Sequence, residues 1–250
     1  CSMINRLMMR WLMLMSFSML VCMLLAANLG AMPLSLRTLW QAPLSDLAWQ
    51  IWLTIRLPRV LLAMLTGMAL AVSGAVMQGL FRNPLADPRL LGVSSGASLG
   101  AISAIVLGGA LPPAIAGYLG WYLVPLAALV GSWVAMLVLY AIATRQGRTS
   151  VATMLLAGIA LAAMIEALSG LIIYYANDLQ LRDLTFWGLG SLAGSSWTKL
   201  AAAAPIIIVA LIAASTLARA LNGLALGQAT AAHVGIRVQR TKAVAILATA

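Results

Sequence analysis

Long apolar runs separated by short polar punctuation make up almost the whole chain. Between Val60 and Phe81 lie 22 residues without a charge, enough to cross a hydrocarbon layer of about 30 Å as a helix rising about 1.5 Å per residue. The same pattern predicts membrane spans over 11–31, 52–81, 92–109, 119–143, 151–175 and 198–217, with a seventh beginning near Thr241. The last apolar run, 243–250, has eight residues, so the sequence reads as stopping inside that seventh span. Between the second and third spans, FRNPLADPR carries Asn83-Pro84 and Asp87-Pro88, which forbid a continuous helix. The first run, Trp11 to Ala27, has 17 residues; a signal-peptide core has about 7–15, so a retained helix is expected. Residues 177–197 are too polar at the start and too glycine-rich at the end to span. They predict a short external helix with Phe186 and Trp187 at the membrane interface.

Small residues add a packing expectation. Ala63, Gly67, Ala71, Ala75 and Gly79 recur every fourth position, as do Gly92, Gly96, Gly100, Ala104 and Gly108. Residues four apart share a helix face, so each strip predicts a surface where a second backbone can approach closely. Composition agrees with a polytopic membrane protein: 63% of the 250 residues are hydrophobic and 8% charged, with a mean hydropathy of +1.03, more apolar surface than one soluble core can hide. The net charge of +10 is distributed over short loops. With the N-terminus in the cytoplasm, ten cations fall inside (Arg6, Arg10, Arg82, Arg89, Arg145, Arg148, Arg219, Arg237, Arg240, Lys242) and five outside (Arg37, Arg56, Arg59, Arg182, Lys199), the expected bias. Asp46, Asp178 and Asp183 sit on that outer side. No basic patch interleaved with aromatics points to nucleic acid. Cys1 and Cys22 make no disulfide framework.

RLPR (56–59), SGAVMQGLFRNPLADP, LLGVSSGASLG, LLAGIAL, DLTFWGLGSLAG and LALGQATAAHVGI together resemble the permease family of bacterial ATP-binding cassette (ABC) importers for ferric siderophores, haem and vitamin B12. The likeness covers nearly the whole chain, and DLQLRDLTFWGLGSLAG looks most like haem permeases. It implies an all-α, polytopic transmembrane bundle of the type II ABC importer permease kind, one domain over 1–250, with C-terminal helices missing from this chain. It also implies a bacterial inner-membrane location, a second permease copy, two ATPase subunits carrying ATP and Mg, and a periplasmic substrate-binding protein. No cofactor is expected in this chain.

The resemblance assigns roles residue by residue. Arg56 and Arg59, at the outer end of the second span, match positions that face acidic residues on the substrate-binding protein. An exposed pair of guanidinium groups suits such docking, because each can hold a carboxylate through two hydrogen bonds. The loop from Leu224 to Ile236, with Gly227, Gln228, Ala231, His233 and Gly235, matches the helices that couple to the ATPase, its small residues fitting a narrow cleft. Asn83, Pro84 and Leu85, with Ser150 in the loop from Arg148 to Thr153, match cytoplasmic constrictions of the path. From residues alone both loops are ordinary turns. Glu166 is the only acid well inside an apolar run. A carboxylate in a membrane is costly unless paired, protonated or wet, and its stripe with Gly158, Ala162, Gly170 and Tyr174 predicts that it faces protein or the path rather than lipid. A path-lining role and a structural hydrogen bond are both open.

Other classes lack the necessary residues. Gly92-Val93-Ser94-Ser95-Gly96 fits a G-x-S-x-G nucleophile pattern, which needs a strand-to-helix turn and a nearby His and acid, whereas here it opens a membrane helix and the sole histidine is His233. No clustered His or Cys suits zinc. No G-x-x-x-x-G-K-[ST] phosphate loop occurs, so any ATP is bound by another polypeptide. An ion-coupled secondary transporter, the remaining alternative, usually carries several intramembrane acids or paired broken helices; here only Glu166 qualifies.

Overall fold

The computed structural model describes residues 2–30, 43, 47–112, 114, 117, 119–145 and 148–250; Arg37 and Asp46 lie outside them. The elements are α1 (Ser2–Asn28), α2 (Leu47–Ile51) running through a π-turn (Trp52–Arg56) into α3 (Leu57–Phe81), α4 (Val93–Leu107), α5 (Leu123–Ala143), a two-stranded ribbon of β1 (Thr144–Arg145) and β2 (Arg148–Thr149), α6 (Val151–Tyr174), α7 (Asp178–Leu189), α8 (Trp197–Thr216), α9 (Ala218–Ala225), α10 (Gln228–His233) and α11 (Val238–Thr249). Among the described residues, six helices are long and apolar enough to cross a membrane: Leu7–Asn28, Leu47–Phe81, Val93–Ala110, Leu123–Ala143, Ala152–Tyr174 and Trp197–Thr216. They fall on the six predicted spans. The fold is helical, apart from that short ribbon, and polytopic.

The chain divides into two compact units, Cys1–Gly67 with Leu192–Ile207, and Met68–Ser191 with Ile208–Ala250. In the second unit the core gathers the C-terminal ends of α3 (Val76, Met77, Leu80), α5 (Leu139, Ala143) and α8 (Ala214, Leu217), the start of α6 (Met154) and α11 (Ala245, Ile246). The tightest packing is between α4 and α5. A Cβ on Gly96 would stand 2.5 Å from both the Ala135 Cβ and the Gly131 carbonyl oxygen, and one on Gly100 would overlap the Ala127 backbone. The strip on α4 therefore does what its spacing predicts, meeting a glycine on the partner helix. The strip on α3 does not. Gly67 has nothing within 4 Å, and Ala71, Ala75 and Gly79 line an open groove of about 660 Å³ with Leu211, Ala214 and Leu221. Small residues permit close approach but do not supply the partner.

In the first unit, Pro58 lies inside the continuous helical run from α2 to α3. Proline lacks an N–H and crowds the preceding turn, and the helix absorbs this by widening. Leu57 N–H reaches back five residues to the Trp52 carbonyl, which frees the Leu53 carbonyl from its ordinary helical bond. The Trp197 indole N–H donates to that carbonyl at 2.9 Å.

Candidate functional site

The predicted site residues fall into three groups. Arg56 and Arg59 lie in the first unit, one turn apart around Pro58. Arg56 is 8% exposed, and its Nη1 donates to the carbonyls of Ala27 at 3.1 Å and Asn28 at 2.6 Å. It caps the C-terminal end of α1, where free carbonyls favour a cation, and it packs so close to Gly30 that a Cβ there would sit 3.0 Å from Nη2. The expectation of an exposed cationic pair is thus corrected: burying Arg56 satisfies orphan carbonyls that the α1 terminus would otherwise leave bare. Arg59 is exposed, with Nε donating to Leu192 O at 3.2 Å and Nη2 to Ala193 O at 2.8 Å. One guanidinium is spent on fold; the other stands at the surface, oriented by two main-chain oxygens.

The second group is at the end of the second unit where α3, α5 and α8 terminate. The turn after α3 is built by local polar chemistry. Arg82 takes a positive φ of 50°, Asn83 Oδ1 accepts the Leu85 N–H at 2.9 Å, and Asp87 Oδ1 accepts the Arg89 N–H at 2.7 Å, so two Asx turns, one around Pro84 and one around Pro88, lead into the turn Pro88–Leu91. Leu85 is left 83% exposed. Gly92, at φ 74°, then turns the chain into α4, so the G-x-S-x-G segment is a helix start. Ser150 is the N-cap of α6, its Oγ accepting the Thr153 N–H at 3.3 Å.

The predicted coupling loop folds as α9 and α10. Gly227 (φ 115°) and Gly235 (φ 87°) bracket α10 in left-handed backbone, so both glycines serve the chain's own turns. Ala231 is 1% exposed, so its side chain packs inward rather than lying on the displayed face of α10. Two residues the sequence reading passed over are displayed instead, Leu226 at 74% and Val234 at 76% exposed, with Gln228 and His233 exposed between them. Bare apolar side chains on either side of a short polar helix were the available signal.

Glu166, in the third group, is exposed with Gly170 and Tyr174, while Gly158 at the other end of its stripe is buried and Ala162 is half-buried. Within this chain it faces outward instead of packing on a neighbouring helix. Near the opposite end of the second unit, Asn177 and Gln180 form a capping box that starts α7, and Gln180 Nε2 donates to Ile105 O at 3.2 Å and Val106 O at 3.1 Å, tying α7 to the end of α4. The short helix expected after Asn177 is present as α7, with Phe186 and Trp187 exposed.

The sequence profile of the FecCD transport family matches residues 18–250. The chain belongs to the FecCD transport family. It is 45% identical over 217 residues to the hemin transport system permease protein HmuU of Yersinia pestis, covering 87% of this chain and 64% of that protein. It is 40% identical over 246 residues to the vitamin B12 import system permease protein BtuC of Shigella boydii, covering 96% of this chain and 69% of that one. A solved metal-chelate type ABC transporter in an inward-facing conformation superposes with a TM-score of 0.77 at 27% identity, covering 93% of this chain and 71% of the other. This FecCD chain thus spans only about two thirds of the length of these relatives. Among its described residues no group of three or more His, Cys, Asp or Glu could hold a metal ion.

Proposed function

We propose that this chain is the permease subunit of an ABC importer carrying an iron chelate across the bacterial inner membrane, with haem the favoured cargo and ferric siderophore or cobalamin the neighbouring candidates. The family match across 18–250, with a hemin permease among the relatives, carries this reading. In it, residues 1–250 act as one permease domain with a cytoplasmic N-terminus. A second copy completes the path, a substrate-binding protein docks on the side of Arg59, and two ATPase subunits binding ATP and Mg engage α10 and its apolar flanks. The protein breaks no bond in its cargo. Nucleotide binding and hydrolysis below would bias the equilibrium between inward- and outward-open forms. Asn83, Pro84, Leu85 and Ser150 stand at the inner end of the path, and Glu166 faces the path or the second copy.

The test is uptake into right-side-out reconstituted vesicles holding the permease with its ATPase, with ATP enclosed, the substrate-binding protein and haem outside, and no ion gradient. ATP-dependent accumulation of haem is the expected result. Accumulation that follows a proton or sodium gradient without nucleotide would replace this reading with an ion-coupled secondary transporter.

A further inference from the structure

Lys242 is one of two lysines in the chain, and it is 2% exposed. Its ammonium donates to the Thr149 carbonyl at 2.7 Å and to Gln228 Oε1 at 3.2 Å. These are neutral acceptors from two separate segments, the ribbon between α5 and α6 and the first residue of α10. The neighbouring Gln239 joins the same ribbon, its Oε1 accepting the Thr149 N–H at 3.2 Å and the Thr149 hydroxyl at 3.1 Å. Because that hydroxyl has one hydrogen, spent on Gln239, the Thr144 hydroxyl at 3.0 Å must donate to it. All polar atoms of Thr149 are therefore held, and Ser150, its neighbour, caps α6.

A buried ammonium is expensive, and a chain that needed only packing would place Met or Leu there. What the lysine adds is directional connection. Three N–H bonds radiating from one point can grip two segments that share no other hydrogen bond among the described residues, and breaking one leaves a desolvated charge underpaired.

We infer that Lys242 is a positioning residue that ties α10 to β2, so that displacement of α10 is passed through Thr149 to the capped first turn of α6. This deepens the transport reading and rests on it: α10 is where the ATPase would push, and the Ser150 turn is where the path would narrow. The tie runs from the Thr149 carbonyl through one ammonium to the Gln228 side-chain amide.

Amide hydrogen exchange on the purified full-length permease tests the tie without any transport. In Gln228→Leu, which removes one acceptor at an exposed position, and in Lys242→Met, amides of 149–153 are expected to exchange faster by about fivefold or more. Gln228→Glu, which keeps an acceptor facing the ammonium, should retain the wild-type protection, a rescue that loss of packing would not give. Unchanged exchange in Gln228→Leu overturns the tie, and that variant decides the matter if Lys242→Met does not fold. In the complex with the ATPase, haem uptake per ATP hydrolysed is expected to fall by about fivefold or more in Gln228→Leu. Faster exchange with an unaltered uptake ratio overturns the transmission role. Wild-type complex that fails to couple uptake to ATP sinks the transport reading, while exchange still judges the tie.

Discussion

Replacing Gly96 by alanine adds one methyl on the close seam between α4 and α5. That methyl would lie 2.5 Å from the Ala135 Cβ and the Gly131 oxygen, where ordinary contact begins at 3.4 Å. Neither neighbour is a flexible side-chain tip, so α4 and α5 must separate by about 0.9 Å, a gap that forfeits a quarter to a half of each dispersion contact along the seam. Overpacking of this kind costs about 1–3 kcal/mol, and the upper end applies because Gly100 and Gly131 lie on the same seam and lose contact with it. The matched control is Gly170→Ala, at a helix position with nothing within 4 Å, where the change is expected to be neutral or to stabilise by up to about 1 kcal/mol. Thermal unfolding of both variants in detergent, followed by intrinsic fluorescence or by loss of the monodisperse peak, compares them directly. Equal midpoints for Gly96→Ala and Gly170→Ala would refute the claim that backbone proximity holds these helices together.

Arg56 and Arg59 should separate cleanly. Arg56→Ala strips two carbonyls of a charged donor and is expected to cost about 2–3 kcal/mol, seen in thermal unfolding, whereas Arg59→Glu should leave stability within about 0.5 kcal/mol and weaken capture by the substrate-binding protein in a pull-down. For the same reason, reversing both charges at once would confound docking with folding. Leu226→Asp with Val234→Asp should abolish co-purification of the ATPase while the permease alone stays monodisperse, and Ala231→Asp should instead damage the permease itself. Glu166→Gln is expected to leave the melting temperature unchanged, since the side chain is exposed within the chain; uptake equal to wild type would remove it from the path.

The uninterrupted apolar runs determined the six spans, because no other solvent than lipid accommodates so much uncovered surface: only 6% of the window in the span Leu7–Asn28 is buried inside the chain, and only 28% in Leu123–Ala143. Turn chemistry at Asn83, Asp87 and Asn177 is equally local, each side chain bonding an amide two or three residues away, and so it could be read from the sequence. The strip of glycines on α4 was visible for the same reason, being a periodicity within one helix. What its counterpart on α3 would meet was not, because the partner of a helix face is chosen by the whole fold. Arg56 and Arg59 look alike in RLPR, yet one is buried and one is exposed, since only the tertiary path brings the bare carbonyls of α1 to the first and those of Leu192 and Ala193 to the second. Lys242 reads as one more loop cation until α10 and the ribbon close around it. Short-range hydrogen bonds and hydrophobic period are properties of neighbours along the chain; burial of a charge depends on acceptors 14 and 93 residues away, and those are placed only when the helices pack.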